Sequence, residues 1–294
     1  DDQESNDGSD PDQSGSQSFS LEVGEVKVDH NWTKVSLNQD FIDPVVVANP
    51  MSSNGVQPGV IRIRNASQNS FEVRVQEWDY LDGGHMQEAV SYMVMESGQF
   101  QLSDGTRIEA GTFVNDRTAE VSFEQLFGTT PVVTASVTSE NDPQAVAGRC
   151  SNITAQGFTH LLQEEEANDQ IHLQEEVSYI AWEPSIGEVN GFAYEVGATG
   201  NCVTDLPESI AFNGLFSGSP FCLADMQTKH GGDTATVRYQ SKDEYGIDFA
   251  ITEETSRDQE TAHISEIVGY MAFASTDDQE SNDGSDPDQS GSQS

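Results

Sequence analysis

Residues 85–96 read HMQEAVSYMVME, and the same phrase returns twice in looser form: HLQEEVSYIAWE at residues 172–183 and HISEIVGYMAFA at residues 263–274. Val, Ile, Tyr, Phe and Trp crowd each copy, so each reads as a β-strand. Each copy opens on a histidine. The chain has six histidines, and three stand at this one position.

Working outward from these closing strands, the preceding elements recur in the same order. A Phe-led strand comes first: FSLEVG at Phe19, FQLSDG at Phe100 and FAYEVG at Phe192. Next is a short alternating strand, VSLNQDF at Val35, VSFEQLF at Val121 and IAFNGLF at Ile210. A proline-started apolar strand follows at Pro44, Pro131 and Pro220, each eighteen residues before an arginine: Arg62, Arg149 and Arg238. Nine residues beyond each arginine a period-two strand begins, at Phe71, Phe158 and Ile247. Gly, Asn, Asp and Pro turns separate the elements, and no stretch carries a helical period. The chain is therefore expected to be all-β: three tandem six-stranded antiparallel sandwich modules at residues 19–98, 99–190 and 191–275. A module of about 85 residues is close to the lower limit for an independent core, so the three are expected to pack on one another as a pseudo-trimer.

Flanking the modules are two identical segments. Residues 1–18, DDQESNDGSDPDQSGSQS, are repeated letter for letter at residues 277–294. An exact repeat at an offset of 276 residues points to one period of a longer array and its linkers, spanning 1–18 and 276–294. A duplicated cloning segment is the plain alternative. The linkers hold too little apolar surface to order themselves alone. Their oxygen-bearing side chains, Asp2, Glu4, Asp7, Asp10 and Asp12 with Asp278, Glu280, Asp283, Asp286 and Asp288, alternate around Gly8 and Gly284. That pattern suits the irregular six- to eightfold coordination of calcium. Without an ion it is an extended, self-repelling spacer.

Across the 294 residues, 51 Asp and Glu face 12 Lys and Arg, a formal net charge of −39. Such a surface repels nucleic acid and anionic membranes and attracts cations, as in a salty medium or a protein that uses divalent ions. No apolar run approaches a membrane span, and any signal or anchor is expected elsewhere in a parent chain. Three cysteines, Cys150, Cys202 and Cys222, form no metal-ribbon spacing; at most one internal disulfide is possible, with Cys202 and Cys222 the pair to test. Asn31, Asn65 and Asn152 begin glycosylation sequons.

The chemistry-bearing residues follow the repeats. Glu77, His85 and Glu88 have counterparts in Glu164, His172 and Glu175 and in Glu253, His263 and Glu266. About a pseudo-threefold axis, His85, His172 and His263 with Glu88, Glu175 and Glu266 could form a zinc-type site. The same residues could instead be a hydrogen-bonded network, with Arg62, Arg149 and Arg238 as buried ion-pair partners. The Glu164-Glu165-Glu166 run with Asp169 is a cation-binding loop or a solvated face. No G-x-S-x-G, H-E-x-x-H, P-loop or Cys–His spacing marks an enzyme.

The order of elements resembles the H-type lectin domain. The resemblance is carried by the Phe41-Ile-Asp-Pro44 strand start, the Arg62 strand, Gln156-Gly157-Phe158 and the closing Val-Ser-Tyr strands. It implies six-stranded sandwiches that trimerise and bind N-acetylgalactosamine-like sugars between neighbours. Ligand residues implied by it are Arg62 or Arg64, Arg149 and Arg238, with Tyr92, Tyr179 and Tyr270. The linker is similar to the thrombospondin type 3 calcium-binding repeats of bacterial surface proteins. The expectation is thus an extracellular filament or giant cell-surface adhesin, whose beads join copies of themselves head to tail through calcium-binding linkers. A glycan-binding lectin is the alternative, and a glycosidase module the third.

Overall fold

The computed structural model describes residues 19–213 and 216–276. All twenty of their regular elements are strands. The first segment supplies β1 (Leu21–Val28), β2 (Thr33–Ser36), β3 (Pro44–Ser52), β4 (Gly59–Ser67), β5 (Ser70–Glu77) and β6 (Glu88–Glu96). The second supplies β7 (Gly98–Gln101), β8 (Arg107–Asn115), β9 (Thr118–Ser122), β10 (Val132–Val137), β11 (Ala147–Thr154), β12 (Gly157–Gln163) and β13 (Glu175–Trp182). The third supplies β14 (Ser185–Val189), β15 (Phe192–Ala198), β16 (Glu208–Ala211), β17 (Phe221–Met226), β18 (Ala235–Lys242), β19 (Gly246–Glu253) and β20 (Val268–Ser275).

Pairing is antiparallel except at one seam. The sheets run β1-β6-β3-β18-β19-β16, β10-β13-β8-β7, β11-β12-β9, β14-β15-β20-β17 and β2-β5-β4. The six-stranded sheet exists because β3 meets β18 in a short parallel contact, Arg238 beside Met51 and Tyr239 beside Ser52. The structure thus departs from three equal six-stranded sandwiches. Seven strands each come from the second and third segments, because β7 and β14 fold back as hairpins on β8 and β15. Strand pairing also places Ser185–Val189 with the third segment's sheet.

One alignment of the repeats needs correcting. Leu21 lies opposite Met95 as Ile108 lies opposite Trp182 and Tyr194 opposite Phe273. The counterpart of FSLEVG in the second segment is therefore TRIEAG, Thr106 to Gly111, and FQLSDG is the added strand β7 with its turn. Both begin a strand with the apolar spacing of the other segments, so periodicity alone did not separate them.

The closing strands sit at the middle of the packing. On β6, Tyr92 and Val94 face a core closed by Phe41, Ile63 and Phe71 from their own segment. Tyr179 and Ala181 of β13 and Tyr270 and Ala272 of β20 face two further such cores. The alternate side chains, Met93 and Met95, Ile180 and Trp182, Met271 and Phe273, enter one shared core built from all three segments. Successive side chains of a strand point to opposite faces, so a strand covered on both faces must be apolar at every position. This accounts for the unbroken VSYMV and VSYIAW runs. Trp182 is completely buried, its ring 5.1 Å from Tyr194 and 5.6 Å from Phe273 of the third segment. Each fully buried large apolar side chain contributes roughly 1.5–3 kcal/mol, so the shared core is a major part of what joins the segments.

Candidate functional site

The three arginines lie on β4, β11 and β18, and each crosses to another segment. Arg62 Nη2 pairs with Glu175 Oε1 at 3.0 Å, Arg149 Nη2 with Glu266 Oε1 at 2.8 Å, and Arg238 Nη2 with Glu88 Oε1 at 2.7 Å. First reaches to second, second to third, and third back to first, so the contacts close in a ring. The guanidinium groups also donate to carbonyls of the neighbour's loop: Arg62 to Ser139 and Gln144, Arg149 to Gly231 and Asp233, Arg238 to Ser52 and Gln57. All three are at most 2% exposed. Burial lowers their pKa and the facing glutamates offset this only in part; a guanidinium stays charged throughout.

Glu88 and Glu175 are the first residues of their closing strands, Glu266 stands two residues before β20, and all three are held the same way. Ser52 and Ser139 donate their hydroxyls to Glu88 and Glu175, and Thr228 donates to Glu266 at 2.5 Å. Two backbone N–H groups follow: Asn54 and Gly55 to Glu88, Asn141 and Asp142 to Glu175, His230 and Gly231 to Glu266. Burial alone would raise these carboxyls, but the histidine, hydroxyl and backbone donors outweigh it. Glu175 and Glu266 are held at about 2, and Glu88 is also lowered.

The histidines complete the clusters within their own segments. His85 Nδ1 is 3.0 Å from Glu77 and its Nε2 3.2 Å from Glu88. His172 Nδ1 is 2.9 Å from Glu164 and its Nε2 3.3 Å from Glu175. His263 Nδ1 is 2.5 Å from Glu253 and its Nε2 3.4 Å from Glu266. For His172, burial favours the neutral ring, yet the hydrogen bonds to Glu175 and Glu164 outweigh it and raise its pKa. The three histidines thus serve three separate junctions. Among the described residues the only group of three or more His, Cys, Asp or Glu at mutual ligand distance is Asp142, Glu164 and His172, within the second segment. A single axial site of His85, His172 and His263 with Glu88, Glu175 and Glu266 is not what the geometry assembles, because each imidazole is committed to its own pair of carboxylates.

A second threefold cluster escaped the motif reading. Glu22, Glu109 and Glu195 are buried on β1, β8 and β15. Tyr179 Oη donates to Glu109 at 2.7 Å and Tyr270 Oη to Glu195 at 2.8 Å. Burial, with Glu22 beside it, raises the Tyr92 phenol to about 12. Loop N–H groups of Asn38, Glu124, Gln125 and Asn213 cap the same carboxylates. The signal was an E-x-G triplet, Glu22 to Gly24, Glu109 to Gly111 and Glu195 to Gly197. The glycine leaves room for the tyrosine side chain, whose nearest atom lies 2.5–3.0 Å from where a Cβ would stand. In the second segment that triplet was hidden by the misplaced FQLSDG. Tyr92, Tyr179 and Tyr270 are thus 5–8% exposed and bonded inward. With Arg62, Arg149 and Arg238 buried as well, the ligand positions implied by the lectin likeness lie inside the protein. Arg64 is more open, stacked 4.0 Å from the Trp32 ring and paired with Glu72 and Glu140.

The chain is 34% identical over 257 residues to halomucin of Haloquadratum walsbyi, an alignment that takes in 83% of this chain and 3% of halomucin. It therefore resembles a short stretch of a far longer protein. No family model matches the sequence, and no solved structure matches the fold. The likeness to H-type lectins rests on the motifs quoted above.

The remaining expected positions divide simply. All ten acidic linker residues, Asp2 to Asp12 and Asp278 to Asp288, lie outside the described residues. Cys150, Cys202 and Cys222 are free thiols, two of them buried, and burial raises Cys222 to about 12. Glu164 and Glu165 are buried rather than solvated. Asn31, Asn65 and Asn152 are exposed, the last two in left-handed conformation where β4 and β11 shift register. No helix of the described residues is long and apolar enough to cross a membrane.

Proposed function

We propose that this chain is a structural repeat unit of an extracellular filament or giant cell-surface adhesin, in which its three modules form one pseudo-trimeric bead. The observation that carries the reading is the identity of residues 1–18 with residues 277–294, the mark of a repeating period. Similarity to 3% of a much longer protein is in keeping with it. So is the chemistry of the junctions. The receiving carboxylates Glu88, Glu175 and Glu266 each accept from arginine, hydroxyl and backbone donors and lie against a histidine, which suits holding modules together rather than turning over a substrate.

Beads would meet head to tail, a heterologous contact that extends without closing. Met86, Leu173 and Ile264, each just after a junction histidine, are 64%, 58% and 57% exposed at the same register in the three segments. Apolar side chains repeated in the open supply a contact face for the next bead. A net charge of −39 would keep filaments apart until cations screen it. Calcium is the ion we assign to the linkers, by their oxygen-rich pattern.

Electron microscopy of a chain carrying several consecutive periods, with calcium and after chelation, tests this. Regular bead strings that lose their fixed spacing on chelation are expected. Beads without any preferred contact, together with binding to N-acetylgalactosamine glycans on an array, would replace the filament with the lectin.

A further inference from the structure

The second segment differs from the other two at one loop position. Where the first has Gly55 and the third Gly231, the second has Asp142; all three backbone N–H groups donate to the junction glutamate. Gly55 and Gly231 lie against the histidine ring, with a Cβ there 3.0 and 2.5 Å from the imidazole of His85 and His263. Asp142 instead brings a carboxylate to that ring, its Oδ2 4.0 Å from His172 Nδ1. Glu164 Oε1 is 2.9 Å from the same nitrogen. The three ligand atoms lie within 4.8 Å of one another.

From these contacts we infer a binding site for one divalent transition metal, zinc by ligand class, formed by Asp142, Glu164 and His172. A tetrahedral ion with bonds of 2.0–2.1 Å needs its ligand atoms about 3.3 Å apart, and the measured 2.9 and 4.0 Å straddle that spacing. One imidazole and two carboxylates leave a fourth position for water.

An independent observation points the same way. Glu164 is 1% exposed, and its second oxygen, Oε2, is buried with no hydrogen-bond partner. In the first segment the matching Glu77 Oε2 accepts from Gly83 N at 3.0 Å. A buried carboxylate oxygen left unpaired is costly, and a cation held by both oxygens of Glu164 would satisfy it. Among the described residues Asp142 Oδ2 accepts one hydrogen bond, from the Leu173 N–H at 3.1 Å, and the Asp142 side chain is 11% exposed, which gives an ion a way in. On binding, the metal takes the place of the Nδ1 proton of His172, which leaves to solvent, while Nε2–H stays directed at Glu175 Oε1. This site is separate from the linker calcium of the filament reading and does not depend on it.

The test is zinc titration of the full chain by calorimetry, in excess calcium to occupy surface carboxylates, using buffers of different ionisation enthalpy. One zinc per chain is expected, with release of up to one proton. Asp142→Gly, which copies the first and third segments, should keep the fold by circular dichroism and weaken binding at least tenfold. Asp142→Asn serves if the glycine variant does not fold. His172→Gln should abolish the proton release. No zinc bound under these conditions, or equal affinity in folded Asp142 variants, overturns the proposal.

Discussion

At the scale of single residues, each junction is a buried charge held by many donors. Removing one partner leaves the other uncompensated, which typically costs about 3–5 kcal/mol. Arg149→Met is therefore expected to destabilise the chain by about that amount in chemical denaturation. Pairing it with Glu266→Gln should recover part of the loss, since the stranded charge is gone. The pH dependence has two limbs. Glu175 and Glu266 have folded values near 2, below their ordinary 4.5. Their contribution is complete above about 4.5 and is lost as the pH falls from there towards 2. The His172 value is raised, so its contribution is complete below its ordinary 6.5 and fades as the pH rises through the higher folded value. Thermal unfolding from pH 2 to 9 should show both limbs, and His172→Gln should remove the alkaline one while making the acid one shallower, because His172 is one of the donors that lower Glu175. An unchanged alkaline limb in that variant would place the titration elsewhere.

Elements depend on a few backbone approaches that side chains cannot share. Gly157 opens β12 against β9, where a Cβ would stand 2.2 Å from the Val121 carbonyl oxygen. Gly246 repeats the arrangement against Ile210 at 2.5 Å. Backbone cannot move aside as a side chain can, so Gly157→Ala should cost about 1–3 kcal/mol by overpacking. Hydrogen exchange should localise the loosening to the β9–β12 pairing; uniform loss of protection would mean the strain is not local. The Gln156-Gly157-Phe158 motif was legible as a strand start, and most strands were legible likewise, from alternation and turn residues. The added strands β7 and β14 were not. Each is only four or five residues long, and whether such a run pairs at a sheet edge depends on the neighbour that receives it.

For the whole molecule, the segments meet through side chains at one further matched position. Asn49 donates to Ser136 Oγ and the Ala135 carbonyl, and Ala135 N donates to Asp225 Oδ2. Asn49, Ser136 and Asp225 line a cavity of about 40 Å³, space enough for water. Burial raises the Asp225 carboxyl to about 7 despite the donors around it. Folding therefore favours its protonated form, and the penalty for ionising it grows as the pH rises from 3.8 towards 7. Asp225→Asn should flatten the stability profile in that window and raise stability at pH 8. A variant that keeps the wild-type slope between pH 4 and 7 would show that Asp225 is not the group responsible.

The sequence alone determined the all-β class, the three recurrences and the matched positions of Arg62, Arg149 and Arg238 with the histidines. These are local patterns, written in periodicity and spacing. Which carboxylate each arginine meets was decided only by tertiary structure, because the pairs cross between segments: Arg62 finds Glu175, and Arg238 finds Glu88. Asp142 is likewise unreadable in the chain, where thirty residues part it from His172 and its counterparts are glycines. Its chemistry arises from the loop's return to the imidazole, a long-range contact that no spacing along one strand encodes.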